Sequence, residues 1–166
     1  MSLEVLLIHP NASKKIYQEL SNSLSGIEPP IWAGMIASYL RNKGVKVDLL
    51  DCEAYGLTVE ETKEKIKELK PKITAVVVYG QQPSASTQNM TGAVELMYAI
   101  DDLDTQKVYL GPHPTALPNK TILDDRKSFV CKGEGVKTLE YLTKVTDFTD
   151  INQLRKVKGL VFFNDQ

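Results

Sequence analysis

Val108-Tyr109-Leu110-Gly111-Pro112-His113-Pro114-Thr115 is an apolar run cut off by a glycine and by two prolines that bracket a histidine. A short apolar run with breakers at its end reads as a buried strand that stops abruptly. In an open α/β sheet, ligands sit in the crevice outside the carboxyl ends of the strands. The stretch therefore makes two claims: a parallel sheet, and a site along one edge of it.

The sequence on either side carries the first claim. Val5-Leu6-Leu7-Ile8 is a central-strand run ended by His9-Pro10-Asn11. A polar segment through Glu28 follows, longer than the usual strand-to-helix connection, with room for a helical turn around Ile16–Leu20. Pro29-Pro30 opens a helix, proline being tolerated in the first turn. Ile31, Met35, Ile36, Tyr39 and Leu40 share a face of it, and Gly44 ends it. Val45, Val47, Leu49 and Leu50 form a second strand that stops at Asp51. Thr58 and Glu61 make a capping box for the next helix, whose apolar face is Ile66 and Leu69.

Ile73 through Tyr79 is the most hydrophobic strand of the chain, followed by an uncharged loop from Gly80 to Ser86. Ser86 or Thr87 caps a third helix bearing Val94, Leu96, Met97 and Ile100. Lys107–Leu110 is a fourth strand and Ser128–Cys131 a fifth, before a helix with Leu139 and Leu142. Further on, Leu154 marks a helical turn, and Gly159-Leu160-Val161-Phe162-Phe163 one more strand. Strands alternating with helices predict an α/β fold: a doubly wound, mostly parallel five-stranded sheet, Rossmann-like or flavodoxin-like. The expected order is 2-1-3-4-5, with helices on both faces and right-handed crossovers. Residues 1–146 form the domain, and 147–166 read as a C-terminal tail or linker.

Composition narrows the function. The 166 residues are 42% hydrophobic and 25% charged with a net charge of -1, which suits one globular domain. Nothing global attracts nucleic acid or an anionic membrane. Two cysteines, Cys52 and Cys131, support neither a disulfide scaffold nor a four-cysteine cluster. No signal-peptide pattern opens the sequence and no apolar run reaches the length of a membrane span, so the expected location is the cytoplasm.

The second claim rests on the rim. Four loops share it: His9-Pro10-Asn11; Tyr79-Gly80-Gln81-Gln82 with Ser84; Gly111-Pro112-His113-Pro114; and Gly133-Glu134-Gly135. They are poor in charge and rich in Gly, Pro, Ser and Gln, offering amides and hydroxyls to a large ligand that approaches the backbone closely. No Gly-x-Gly-x-x-Gly, Walker loop or Gly-x-Ser-x-Gly elbow is present, which argues against dinucleotide, NTPase and serine-hydrolase sites. The acidic positions of a receiver domain are absent too. His9 and His113 read as hydrogen-bonded loop imidazoles ahead of bases or metal ligands. Glu134 reads as a helix cap and Cys131 as a small core residue. No catalytic residue and no metal ligand is assigned.

The motifs together resemble the N-terminal cobalamin-binding domain of cobalamin-dependent radical SAM enzymes. The family's strand-to-loop start is matched by Leu6-Leu7-Ile8-His9-Pro10, and its Pro-Pro helix start by Pro29-Pro30. Leu40-Arg41-Asn42-Lys43-Gly44, the strand ending in Asp51, and Gly111-Pro112-His113-Pro114-Thr115 match in turn. So do Gly133-Glu134-Gly135 and Gly159-Leu160-Val161-Phe162. The sequence departs from the pattern at Leu110, Trp32 and Val136.

The resemblance implies cobalamin in the crevice, base-off, without a protein histidine on cobalt, because no Asp-x-His-x-x-Gly occurs. The implied cofactor-binding residues are His9, Pro10, Tyr79, Gly80, Gln81, Gln82, Ser84, Gly111, Pro112, His113, Pro114, Gly133, Glu134 and Gly135. S-adenosylmethionine and an iron–sulfur cluster would belong to a separate radical SAM catalytic domain, in cis or in trans, since two distant cysteines cannot supply the three-cysteine motif. On this reading the chain alone is non-catalytic and its parent is a methyltransferase. Two other readings stand beside it. One is a degenerate, ligand-free interaction module, suggested by Leu110 and Trp32; the other is a small-ligand enzyme using His9 and His113.

Overall fold

A computed structural model of the chain describes residues 3–11, 29–80 and 83–164. Most of the polar segment before Pro29, Gln81, Gln82 and the side chain of Ser84 lie outside the described residues. The elements run β1 (Val5–His9), α1 (Ile31–Asn42), β2 (Val47–Asp51), α2 (Val59–Leu69), β3 (Ile73–Val77) and α3 (Pro83–Ala99). There follow β4 (Gln106–Leu110), α4 (Pro112–Ala116), α5 (Pro118–Asp124), β5 (Phe129–Cys131), α6 (Val136–Thr143), α7 (Ile151–Leu154) and β6 (Leu160–Phe162).

The sheet order is β2-β1-β3-β4-β5-β6. The first five strands are parallel in the expected order, with Val5 opposite both Val47 and Ile73. The sixth is an addition to the five-stranded expectation: β6 pairs antiparallel with β5 and closes that edge. The strand expected at Gly159–Phe163, within the residues set apart as a tail, thus forms and joins the sheet. Leu154 and Val157 from the same region enter the core, and the Phe129 and Phe162 rings meet edge to face.

Alternation along the strands divides the core into two layers. Val5 and Leu7 face α1 and α6, together with Ala75, Val77, Val108 and Leu110. Leu6 and Ile8 face α2 and α3, together with Val76, Val78, Met97 and Ile100. β1 and β3 are buried along their whole length, as continuous apolar runs in a parallel sheet require.

The helices correct the sequence reading in detail. The buried stripe of α1 is Ala33, Ile36, Ala37 and Leu40. Ile31 and Met35 stand 57% and 59% exposed instead of inside. Both stripes have helical spacing; the one with two alanines lets the helix axis come closest to the sheet and so wins. The Thr58 capping box forms as expected: Glu61 N donates to Thr58 Oγ1, and Thr58 N to Glu61 Oε2. Leu69 faces solvent, and Thr62 and Ile66 take the buried positions of α2.

The third helix starts at Pro83, so Ser86 and Thr87 lie inside its first turns and do not cap it. Ser86 Oγ donates to the Val78 carbonyl and accepts from His113 N. After β4 the two prolines do not make a plain turn. Pro112 starts the short helix α4, with Gly111 at its N-cap, and Pro118 starts α5.

Candidate functional site

The loops after β1, β3, β4 and β5 meet at the carboxyl edge of the sheet. The structure sorts them onto two sides. On the α1–α6 side a cavity of about 410 Å³ is lined by His9, Pro30, Trp32, Met35, Tyr79 and Gly80. Beside it lies a larger one of about 770 Å³, lined by Trp32, Met35, Tyr39, Lys132, Glu134 and Gly135. Trp32 and Met35 line both, so the two are halves of one crevice between α1 and the strand ends. Both are within the volume typical of small-ligand sites, roughly 300–1,000 Å³.

The walls are apolar and aromatic. Ile31, Trp32 and Met35 stand exposed at the start of α1, and Trp32 stacks on Tyr79 with centroids 4.8 Å apart and planes 23° from parallel. Burial first, and then the Glu134 charge, push the Tyr79 hydroxyl above its ordinary value, so it enters as a neutral donor. Glu134 does not cap α6; Gly135 does, without a side-chain hydrogen bond, which leaves the exposed Glu134 carboxylate on the crevice wall.

His9 closes the floor of the smaller cavity. Its Nδ1 lies 3.0 Å from Asp51 Oδ1, and its Nε2 lies 3.9 Å from Glu53 Oε2. Asp51 also accepts from Ala54 N, so the carboxylate that orients the imidazole is itself held. Neighbouring ends of β1 and β2 create this pair, since His9 and Asp51 are register partners.

The glycines split into two kinds. A Cβ on Gly111, where φ is +137°, would lie 2.2 Å from the Val78 carbonyl oxygen. Its smallness therefore serves the packing of one strand end on another. Gly80 and Gly135 are filled in the same way, by Ala85 and by Leu110 with Cys131. Gly133, with φ +75°, has nothing within 4 Å, so it alone of the four presents bare backbone to open space. Thr115 Oγ1 ties that loop to α4, donating to Gly133 O and accepting from Gly133 N, each at 3.1 Å.

His113 goes elsewhere. Its Nδ1 is 3.0 Å from Thr87 Oγ1 of α3, and it lines a separate cavity of about 390 Å³ with Met90, Tyr98 and Leu117. Pro10 faces a fourth cavity, of about 220 Å³, beside Cys52 and Leu57. Pro114 is buried and Pro112 exposed. Of the residues singled out from the sequence, His9, Tyr79 and Gly80 therefore share one half of the crevice, and Glu134 and Gly135 the other. His113 and Pro10 stand outside both halves. Trp32, Met35 and Tyr39 complete the walls. Their signal in the sequence was the Ala33/Ala37 pair, which competes for the buried face of α1 and turns the larger side chains outward.

Burial lifts the Cys52 thiol to about 11 and the Cys131 thiol higher still, so both are inert core thiols. Among the described residues no group of three or more His, Cys, Asp or Glu side chains is placed to hold a metal ion. No helix among them is long and apolar enough to cross a membrane.

Known proteins place this geometry. The sequence profile of the B12 binding domain matches residues 20–143. No curated protein sequence matches the chain. Among solved structures, TsrM from Kitasatospora setae, a radical S-adenosylmethionine methyltransferase with tryptophan and an S-adenosylmethionine analogue bound, superposes with a TM-score of 0.72 at 18% identity. That match covers 99% of this chain and 29% of TsrM. OxsB, a cobalamin-dependent S-adenosylmethionine radical enzyme with aqua-cobalamin and S-adenosylmethionine bound, superposes with a TM-score of 0.65 at 19% identity. There 99% of this chain and 21% of OxsB are covered, so the chain spans under a third of the length of either enzyme. The fold is the one these enzymes contain, and the chain belongs to the B12-binding domain family.

Proposed function

We propose that the chain holds cobalamin in the crevice between α1 and the strand ends and presents one face of the corrin to a radical SAM catalytic domain, in cis or in trans. The parent activity is a methyl transfer. The observation that carries this reading is the crevice itself: two adjoining cavities of about 410 and 770 Å³ whose apolar walls are left in solvent by α1. When bound, a methylated cobalt supplies the methyl group; this chain supplies position.

The residues fit such a group. Tyr79 and Trp32 offer ring faces and Met35 a pliable thioether. Gly133 lets a bulky ring approach the backbone, and Glu134 and Lys132 offer rim contacts for amide side chains. Gly80, Gln81, Gln82 and Ser84 after β3, and Gly111 to Pro114 after β4, would line the path of the nucleotide tail. His9 faces carboxylates with both nitrogens and His113 is engaged by Thr87, which supports base-off binding with no protein imidazole on cobalt. Cys52 and Cys131 are buried apart, so S-adenosylmethionine and the iron–sulfur cluster belong to the catalytic domain. The near-neutral charge fits a cytoplasmic protein that binds neither nucleic acid nor membrane.

Gel filtration of the protein with hydroxocobalamin tests the reading: corrin absorbance should travel with the protein. Free elution of all corrin at high micromolar concentration would overturn it. The cob(II)alamin complex should also show no nitrogen superhyperfine splitting in its paramagnetic resonance spectrum, and a nitrogen triplet seen with cob(II)inamide, which has no nucleotide base of its own, would put a protein imidazole on cobalt. A second reading has one observation in its favour. The Trp32–Tyr79 stack stands within the crevice, as it would in an interaction module that has lost its ligand. Retention of corrin dismisses that alternative.

A further inference from the structure

The cavity of about 390 Å³ that takes His113 lies across the sheet from the crevice, between α3 and α5. Thr87, Thr91, Val94 and Tyr98 recur along α3 at helical spacing, and Leu117, Thr121 and Asp124 do the same at α5. α3 packs on α2 and α4 but stands off from α5. The Tyr98 hydroxyl bridges the gap, donating to Asp124 O at 2.7 Å. Tyr109 of β4, itself buried, lies beneath, and Leu117 and Tyr98 stand exposed at the mouth.

Every charge on these walls already has its counter-ion. Lys120 Nζ pairs with Asp124 Oδ2 at 2.7 Å, and Asp125 Oδ1 with the buried Lys107 at 2.8 Å. His113 differs: it bonds Thr87 through Nδ1 and, among the described residues, makes no bond through Nε2. An ion entering here would leave water without a counter-charge to meet it. An uncharged ring with one hydrogen-bonding group would match both the apolar walls and the single open nitrogen.

We propose that this cavity is a second binding site, for a small uncharged aromatic ligand of the phenol class, its ring among Tyr109, Val94 and Leu117 and its hydroxyl on His113 Nε2. A cavity toward the low end of roughly 300–1,000 Å³ suits one ring and excludes a corrin. A hydroxyl both donates and accepts, so it serves either tautomer of His113. The site is across the sheet from the cobalamin crevice and does not depend on that reading.

Amide NMR titration of the isotope-labelled protein tests it, with para-cresol and toluene as probes. Para-cresol should shift the amides of Met90–Tyr98 and Leu117–Asp124 saturably, with Kd about 1 mM or tighter. Toluene, which lacks the hydroxyl, should bind about fivefold more weakly. His113→Leu should erase that difference while both probes still bind. Val94→Phe fills the cavity from α3 and should abolish both, with thermal unfolding and hydroxocobalamin co-elution unchanged. No saturable shift at about 10 mM, or equal affinity of the native chain for the two probes, would overturn the inference. So would loss of para-cresol on adding hydroxocobalamin, which would make the cavity part of the corrin site. Failure of hydroxocobalamin to bind, with para-cresol still shifting α3 and α5, would overturn the cobalamin reading and leave this one standing.

Discussion

The two faces of the sheet handle the wrong kind of atom in opposite ways. Over β4 and β5, on the α3–α5 side, a lysine and an aspartate are inside: Lys107 is 3% exposed and Asp125 6%. Lys107 Nζ donates to Met97 O, Asp101 Oδ1 and both oxygens of Asp125, and Asp125 Oδ2 also accepts from Tyr109 and Ser128. Among the described residues every buried side-chain nitrogen or oxygen has a partner. Over β1 and β3, at the α1 end, apolar carbon is outside, on Ile31, Trp32 and Met35. A buried charge with all its bonds made answers to the fold. An exposed apolar wall beside a cavity answers to something that arrives later.

Breaking the charged side should therefore cost stability and little else. Lys107→Met leaves Asp125 buried without its cation, a loss of about 3–5 kcal/mol. Urea unfolding should show it, and the folded fraction should keep its corrin affinity. A loss under about 1 kcal/mol would mean that the network is not what holds α3, β4 and α5 together.

A second pair of changes sharpens the contrast within the rim. Gly111→Ala drives a methyl into the Val78 carbonyl at positive φ and should cost about 2–4 kcal/mol. The methyl points into the protein at Val78 and not into the tail path, so the corrin affinity of what remains folded should hold. Gly133→Ala meets open space, so only its positive φ is strained, at about 1 kcal/mol. Here affinity should fall, because the added methyl stands on the bare backbone proposed to meet the corrin. Reversal of the two affinity results would move the site from the α6 loop to the α4 loop.

On the apolar side the trade runs the other way. Ile31→Ser with Met35→Ser should change unfolding by about 0.5 kcal/mol or less, as exposed positions do. The same double change should weaken corrin binding about tenfold by removing apolar contact area. An unfolding shift of about 2 kcal/mol would show these side chains to be core after all.

How far the sequence disclosed this arrangement follows from what each signal measures. Apolar runs and breakers report burial along the chain, so β1 to β5 were legible from Val5-Leu6-Leu7-Ile8 onward, while their order came from the arrangement common to five-stranded doubly wound sheets. The Thr58–Glu61 box was legible because both partners lie within one turn. The face of α1 was not, since two stripes had helical spacing and only the close approach allowed by Ala33 and Ala37 decides between them. His113 was placed at the rim by its loop, yet Pro112 begins a helix there and turns the imidazole toward Thr87 of α3. Gly111 looked like a gap for a ligand; the atom that fills it, Val78 O, is distant in sequence and close only after β3 and β4 pair.

The smallest expected effect probes the charged side by titration. Hydrogen bonds from Lys107, and then from Lys127, hold the Asp101 carboxyl below its ordinary value of 3.8. A carboxylate with a lowered folded value stabilises the fold fully above 3.8 and loses that contribution as pH falls through the folded value. Lys127 is largely exposed and the Asp101 side chain is 39% exposed, so solvent and salt screen much of the gain. Thermal midpoints measured from pH 6 to pH 3 should fall for the native chain, and fall less steeply for Asp101→Asn, with the difference shrinking at high salt. Ile31→Ser with Met35→Ser should leave the shape of that curve untouched, because the apolar wall adds no titrating group. Equal acid limbs for the native chain and Asp101→Asn would show that the Asp101 pairs with Lys107 and Lys127 carry none of the pH dependence.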